Sequence, residues 1–332
     1  MNNETCYVID DLGYHLIPMY NGLFIVGCYI VPPGILLNVL FLIAFGFNKQ
    51  IFSIRNHCVL LCCCVDTLIT FVQGPIHLYF YFNNGCKPIQ STFLCELAVC
   101  WDSIPTQISD FLTAQLSAER VLLVVKPFLF RRTRSRAVYL HYIGTVFCIL
   151  FPILYYPFLM RFGGATTGTS NNPETPICDL YYTFNPLNII DLLIRFVPYF
   201  IVLFSYVCVI LLFVLKRQHS TRSRRLLWQL NLFLIWFLFT WSPWVMYDFI
   251  QIILNLTYSI YIDALTTFII YLNYTFCSTI YLFTFKELRI FSIKHVFICQ
   301  RLLANYRVRS VVPVSLRITN RDGITYPQTT AR

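Results

Sequence analysis

CELAVCWDSIPTQISDFLTAQLSAERVLLVVK, residues 95–126, is the stretch that decides the fold of this chain. Cys95 and Arg120 are 25 residues apart, which in an α-helix is roughly 37 Å, about one bilayer with its interfaces. Asp102 lies 18 residues before Arg120, about five helical turns, so both side chains point to the same side. Ser109 lies within roughly 20° of the same line. This spacing predicts one long membrane-crossing helix with a polar face.

The composition is that of a membrane protein. Of the 332 residues, 57% are hydrophobic and 12% are charged, whereas average soluble chains carry about 25% charged residues. The mean hydropathy is +0.63, and backbone groups in lipid must be satisfied within their own segment, so the long apolar blocks should be helices. We predict an all-α membrane protein, a seven-transmembrane helix bundle with spans at about 22–46, 57–81, 92–125, 138–160, 186–215, 226–253 and 260–283.

Lysine and arginine are distributed unevenly between the predicted spans. Of the 25 in the chain, two lie in 48–55, five in 126–136, five in 216–225 and nine after residue 284. Positively charged loops stay in the cytoplasm, so the pattern predicts a plasma-membrane protein with an extracellular N-terminus and a cytoplasmic C-terminus. The net charge of +10 is therefore a topology signal, not a sign of nucleic-acid binding. Contact with anionic membrane lipid is a secondary expectation.

Polar segments flank the membrane domain, which we place at 22–297. Residues 1–21 form an extracellular N-terminus in which Asn3 begins a glycosylation sequon. This segment lacks the basic start of a signal peptide, so the first span is expected to direct insertion. Residues 285–291 are predicted to form a short amphipathic eighth helix on the inner membrane surface. Residues 298–332 are predicted to be a disordered cytoplasmic tail, with Cys299 either palmitoylated or unmodified.

The outer side carries cysteines that an oxidising environment can pair. Two disulfides can form there, and four cysteines allow three pairings. We favour Cys95–Cys178 with Cys6–Cys86, and the pairing in which Cys86 and Cys95 are exchanged stays open.

Three polar residues of different spans fall at similar depth. Asp66 lies near the middle of the second span, level with Ser109 of the third and Asn273 of the seventh. An intramembrane carboxylate needs a cation, a proton or polar neighbours, so these oxygens could hold a sodium ion or a water cluster. The alternative is a protonated Asp66 that makes hydrogen bonds only. No other cofactor and no protein-bound metal centre is expected.

The fifth and sixth spans carry charge and aromatic rings. Asp191 and Arg195 are four residues apart and are expected to pair with each other rather than with a ligand. An aromatic stripe in the sixth span is more often plain packing than a sensor, but Pro243 lies inside it and predicts a bend that can move. The members of the stripe are Phe237, Trp241, Trp244 and Asp248.

The joint spacing of these residues resembles the pattern of rhodopsin-like G-protein-coupled receptors over roughly residues 22–297. Glu119-Arg120-Val121 stands where Asp/Glu-Arg-Tyr is usual, and Trp241-Ser242-Pro243 resembles the Trp-x-Pro of the sixth span. The other matching residues are Asn38, Asp66, the bridging pair Cys95 and Cys178, Pro198, Tyr206, Phe237 and Tyr281. The departures are Val121, the lack of a fourth-span tryptophan, and Cys277-Ser278 in place of the seventh-span Asn-Pro.

The resemblance implies a receptor that activates a heterotrimeric G protein, with arrestin as a further partner. The switch and coupling roles would fall on Glu119, Arg120, Tyr206, Phe237, Trp241, Pro243 and Tyr281. Position 223 and its neighbours offer no acid to hold Arg120. Glu119 alone would therefore restrain Arg120, and appreciable ligand-free activity is expected.

The resemblance also suggests where a ligand would bind. Asp102 and Tyr271 resemble the amine-binding pair of aminergic receptors, with Trp241, Trp244 and Asp248 nearby, so a cationic amine or peptide is expected. Ile190 and Ile194 stand where catechol receptors use serines, which favours a peptide or an unusual amine. The alternative is that Asp102 pairs with Arg195 or Tyr271 and touches no ligand. The resemblance assigns no role to Asp110.

Two other classes of membrane protein are less well supported by the sequence. A transporter would show broken helices in two related halves, and we find no such repeat. A membrane enzyme would need a converging catalytic set, and none is apparent. We therefore predict a receptor that is not an enzyme, with a transporter or another polytopic protein without G-protein coupling as the alternative.

Overall fold

The computed structural model describes residues 16–47, 54–83, 92–125, 134–162, 165–169, 178–182, 185–215, 221–254 and 259–284. Within these residues seven helices follow the predicted spans closely, which confirms the helical bundle. They are α1 Ile17–Phe47, α2 Ile54–Phe82, α3 Thr92–Val125, α4 Arg134–Phe162, α5 Asn185–Leu215, α6 Thr221–Leu254 and α7 Ile260–Thr284. The predicted eighth helix, Asn3, Cys6, Cys86 and Cys299 lie outside the described residues.

One helix, α3, is the centre of the bundle. It packs against α2, α4, α5 and α6, while α7 packs against α1, α2 and α6. The polar face predicted for α3 therefore lies among other helices, where polar groups find hydrogen-bond partners that lipid cannot offer.

A short antiparallel pair of strands between α4 and α5 was not predicted. β1 Ala165–Thr169 and β2 Cys178–Tyr182 pair from Ala165 opposite Tyr182 to Thr169 opposite Cys178. Both strands contact α3, β1 also contacts α4, and β2 also contacts α5. We call this end of the bundle, where α3 begins and α4 ends, the hairpin end. The hairpin brings β2, which begins at Cys178, against α3, the helix that contains Cys95; the bridge between these two cysteines stays a prediction.

The bundle has an apolar outer surface and a mostly apolar core that contains buried polar side chains, whereas the surface of a soluble protein is largely polar. Large apolar side chains such as Tyr29 and Phe204 are exposed, while Asn38, Asp66 and Ser109 are buried. Five helical segments are long and apolar enough to cross a membrane by composition alone: Ile17–Gly46, His57–Phe82, His141–Arg161, Ile189–Leu211 and Leu232–Gln251. α3 and α7 are not among them, because they place polar side chains such as Gln107 and Asn273 in the buried interior.

The first helix meets the seventh without space for a side chain between them. A Cβ atom added at Gly34 would overlap the methyl group of Thr275. One turn further along α1, Asn38 donates hydrogen bonds to the carbonyl of Tyr274 on α7 at 3.2 Å and to the hydroxyl of Thr70 on α2 at 3.5 Å. Asn38 therefore links α1 to both α2 and α7.

Candidate functional site

Asp102 lies on α3 near the hairpin end and faces α2. Its side chain is 58% exposed, and its Oδ1 lies 3.6 Å from Nε2 of His77. Gln73, one turn before His77 on α2, donates hydrogen bonds to the carbonyls of Trp101 and Asp102 at 2.9 and 3.1 Å. The structure thus gives Asp102 a neighbour, His77, that the sequence did not suggest, and the pairing of Asp102 with Arg195 or Tyr271 stays a prediction.

Tyr271 takes part in the same group of residues through His77. Its hydroxyl donates a hydrogen bond to the carbonyl of Ile69 at 2.9 Å, which fixes the ring between α7 and α2. The edge-on contact between the Tyr271 and His77 rings has a centroid distance of 4.9 Å. His77 therefore connects Tyr271 and Asp102, which the sequence had paired directly.

Sequence reasoning missed His77, although a signal for it exists. His77 follows Asp66 by 11 residues, about three helical turns, so it points to the same inner face of α2 roughly 16 Å nearer the hairpin end. A lone histidine at that position has a common structural explanation as a packed aromatic ring. Only the contact of its imidazole with the Asp102 carboxylate distinguishes His77 from such a packed ring.

The aromatic stripe of α6 forms a continuous row of ring contacts. Phe237 stacks on Trp241 at 5.7 Å, and Trp241 meets Trp244 edge to face at 5.6 Å. Trp244 in turn contacts Phe196 of α5 at 5.9 Å. Phe237 and Trp241 are buried, while Trp244 and Asp248 near the hairpin end are half-buried.

Pro243 lies inside this stretch of α6, as the sequence indicated. The hydroxyl of Ser242, beside Pro243, shares a hydrogen bond with the Tyr199 hydroxyl of α5 at 2.9 Å. The region around the proline is therefore held to α5 by one polar contact and by packed rings, which a rotation of α6 would break. The role of the stripe as a moving part stays a prediction.

The middle of the bundle brings together two of the three residues proposed to hold sodium. Ser109 donates a hydrogen bond to the Asp66 carboxylate, and the Cys277 thiol also faces that carboxylate. Asn273 is buried, and its Oδ1 accepts no hydrogen bond from the described residues. A carboxylate, a hydroxyl and an unsatisfied amide oxygen are ligands of the hard type that sodium prefers. Sodium binding stays a prediction, which an agonist affinity independent of sodium would contradict.

A second group of charges surrounds the start of α5. Arg195 donates a hydrogen bond to Asp191 at 2.9 Å, which confirms the expected pair. The guanidinium also lies 6.0 Å from the centre of the Tyr156 ring. Asp110 of α3 is fully buried, and its Oδ1 accepts no hydrogen bond from the described residues.

The opposite end of α3 carries Glu119 and Arg120. The Glu119 carboxylate accepts a hydrogen bond from Gln115 at 2.7 Å and contacts Nδ1 of His141 at 2.9 Å. Arg120 is buried. The restraint of Arg120 by Glu119 stays a prediction, and α4 supplies Glu119 with a partner, His141, that sequence reasoning did not pair with it.

The ends of α5 to α7 that lie away from the hairpin also carry aromatic rings. Tyr281 of α7 is buried, and its ring stacks on Phe233 of α6 at 4.9 Å and contacts Phe41 of α1 at 6.1 Å. Tyr206 of α5 is half-buried and packs against the core. The switching role of Tyr206 and Tyr281 stays a prediction.

The arrangement of helices and the order of these motifs can be compared with known proteins. A model of the family described as 7 transmembrane receptor (rhodopsin family) matches residues 37–302. The match covers most of the chain, from within α1 to beyond α7. This chain belongs to the rhodopsin family of seven-transmembrane receptors. A search of curated proteins found no match to it.

Membership of the family accounts for the features described above. The receptor is a G-protein-coupled receptor and a multi-pass membrane protein, and its polar interior lies where helices, not lipid, surround it. Members of this family are generally not enzymes. Among the described residues, no group of His, Cys, Asp and Glu has the geometry of a metal site.

Proposed function

We propose that this receptor binds a cationic extracellular ligand at the hairpin end and, in response, activates a heterotrimeric G protein at the opposite end. The family match supports signalling through a G protein in general. The buried Arg120 beside Glu119 at the end of α3 supports the position of the coupling site. Arrestin is proposed as a second intracellular partner by the same resemblance.

The orientation that this function requires has the hairpin end outside the cell. The segments 126–136 and 216–225 join helices at the opposite end, and each carries five lysines and arginines. Translocating that much positive charge is unfavourable, so these segments belong in the cytoplasm. The N-terminus is then extracellular, at the plasma membrane.

The observation that carries the ligand proposal is the exposed carboxylate of Asp102. Its side chain is 58% exposed although it contacts His77 on the inner side of α2, so a molecule that enters the bundle can reach it. Asp248 near the end of α6 and Asp263 in the first turn of α7 add negative charge at the same end. An acidic opening attracts cations and disfavours anions.

The fifth helix narrows the class of ligand. Ile190 is exposed, and Ile194 packs against the core, so neither offers a hydroxyl to a polar ring. The proposed ligand is therefore a peptide with a basic residue or an amine without a catechol. Trp244 and Tyr271 would contact its apolar part, with Trp241 below them.

The ligand would act by favouring one of two packings of the bundle. It can shift that equilibrium only if it binds the active packing more tightly. The ring contacts from Phe196 through Trp244 and Trp241 to Phe237 provide a physical connection from the hairpin end to the middle of α6. Displacement of Trp244 would therefore change the packing around Pro243, where α6 is expected to bend.

The test is a screen of amines and basic peptides on cells that express the receptor with a promiscuous Gα subunit. For an agonist identified in this screen, the Asp102→Asn substitution is expected to lower potency about tenfold or more, because a hydrogen bond to a charged group is lost. Glu96→Gln is the matched control, since this exposed acid lies on the same helix and faces about 120° away from Asp102. Unchanged potency of the Asp102→Asn receptor would contradict the cationic-ligand proposal.

A further inference from the structure

A hydrogen-bonded cluster joins α3 to α4 at the end of the bundle opposite the hairpin. At its centre is Gln115, whose Nε2 lies 2.7 Å from Glu119 Oε1, 3.0 Å from the carbonyl of His141 and 3.2 Å from the hydroxyl of Thr145. Its Oε1 accepts a hydrogen bond from the Cys148 thiol at 3.3 Å. The Gln115 amide is thus held in one orientation by α4.

The backbone of α4 is shaped to admit this amide. A Cβ atom added at Gly144 would lie 2.9 Å from Nε2 of Gln115, closer than side-chain carbons ordinarily approach. Thr145 meanwhile donates its hydroxyl hydrogen to the His141 carbonyl at 2.8 Å. The close approach at Gly144 brings α4 near enough for His141 to reach Glu119.

His141 completes the cluster by binding the acidic residue directly. Its Nδ1 lies 2.9 Å from Oε1 and 3.1 Å from Oε2 of Glu119. His141 is 5% exposed and the Glu119 side chain 19%, so water competes little for this contact. Hydrogen bonds to a charged group in such a setting are about twice as strong as those between neutral groups.

The position of Glu119 in the chain makes this contact consequential. Glu119 precedes Arg120, so their side chains leave α3 about 100° apart. In the resemblance described above, this acid restrains the neighbouring arginine. A carboxylate held by His141 and Gln115 on the α4 side has part of its charge satisfied there and is drawn away from the side of Arg120.

We propose that His141 is a positioning residue that holds Glu119 against α4 and thereby raises the ligand-free signalling of the receptor. The proposal rests on the proposed coupling to a G protein. His141 and Gln115 attract the Glu119 carboxylate toward α4, and Arg120 attracts it back. Removal of the imidazole shifts this competition toward Arg120 and stabilises the inactive packing.

The experiment measures basal GTPγS binding in membranes from cells that co-express the receptor with a panel of Gα subunits, normalised to receptor at the cell surface. His141→Phe, which keeps an aromatic ring and removes the nitrogen, is expected to lower the basal signal about threefold, because a charged hydrogen bond is exchanged for a competing one. His141→Asn keeps a donor near the position of Nδ1 and is expected to retain most of the signal. Tyr142→Phe, on the same turn of α4, is the matched control.

A double variant separates positioning from a general structural effect. In a Glu119→Gln background the carboxylate that His141 holds is gone, so His141→Phe should lower the signal no further. A reduction of the same size in that background would overturn the proposal, because His141 would then act independently of Glu119. An unchanged or higher basal signal for His141→Phe would also overturn it. If His141→Phe fails to reach the surface, the same comparison is made with His141→Leu.

The two proposals fail in distinguishable ways. If the wild-type receptor signals and the His141→Phe variant has an equal basal signal, only the proposed role of His141 is contradicted. A wild-type receptor that stimulates no Gα subunit, with or without the agonists of the screen, removes the coupling proposal, and the role of His141 falls with it.

Discussion

Beside Asp102 the chain places a partner of its own, the imidazole of His77, whose Nε2 lies 3.6 Å from Oδ1 of Asp102. A cationic ligand that binds Asp102 would have to replace this contact or share the carboxylate. A carboxylate has about four lone-pair positions, so sharing is sterically feasible. We therefore expect His77 to adjust the affinity of the proposed site for a cationic ligand without being required for binding.

Replacement of His77 by phenylalanine should raise the potency of a cationic agonist, up to about fivefold, since an ion pair as exposed as this one contributes at most about 1 kcal/mol. Phenylalanine keeps an aromatic ring against Tyr271 and removes both ring nitrogens. The measurement is a concentration–response curve for the agonist obtained from the screen. Tyr79→Phe, at an exposed position of the same helix, serves as control. Reduced potency would mean that His77 itself contacts the ligand.

Among the elements, α1 and α7 show most clearly how sequence dictates packing. Gly34 allows the two helix backbones to approach, and Asn38 then bonds to the Tyr274 carbonyl at 3.2 Å. Van der Waals contact and hydrogen bonds drive the association of helices in membranes, where lipid is as apolar as the helix surfaces. Loss of close approach at Gly34 therefore weakens both contributions.

Gly34→Ala should destabilise the receptor by about 1–3 kcal/mol, because the added methyl group overlaps the side chain of Thr275. The measurement is the thermal midpoint of purified receptor in detergent. Gly46→Ala on the same helix is the control, since a Cβ atom there meets nothing within 4 Å. Thr275→Ser removes the obstructing methyl group and keeps the hydroxyl that bonds to Tyr271. The Gly34→Ala, Thr275→Ser pair should thus recover stability, and no recovery would contradict this account.

At the scale of the whole molecule, the orientation in the membrane decides which sites face ligand and G protein. An epitope inserted in 126–136 should be inaccessible to antibody on intact cells and accessible after permeabilisation, because the proposed orientation places these basic segments in the cytoplasm. An epitope before residue 16 should be accessible on intact cells and serves as the positive control. Labelling of 126–136 from outside would reverse the orientation and remove the proposed function with it.

The fold followed from the sequence because the bilayer leaves so few alternatives. Each backbone group in lipid must be satisfied within its own helix, so long apolar blocks could only be helices. Local pairs followed too: Asp191 and Arg195 are four residues apart, and any helix would bring them together. The hairpin of β1 and β2 was not predicted, since its segments are short and polar and form no long apolar block.

The candidate site was predicted only in part, because its contacts join residues of different helices. The sequence by itself determined that Asp102, Glu119 and Arg120 occupy fixed heights and directions on one helix, since helical geometry fixes both. Only the tertiary structure decided their partners, His77 on α2 for Asp102 and His141 on α4 for Glu119. The rotation and spacing of neighbouring helices select these partners, and many distributed packing contacts, not one motif, set that rotation.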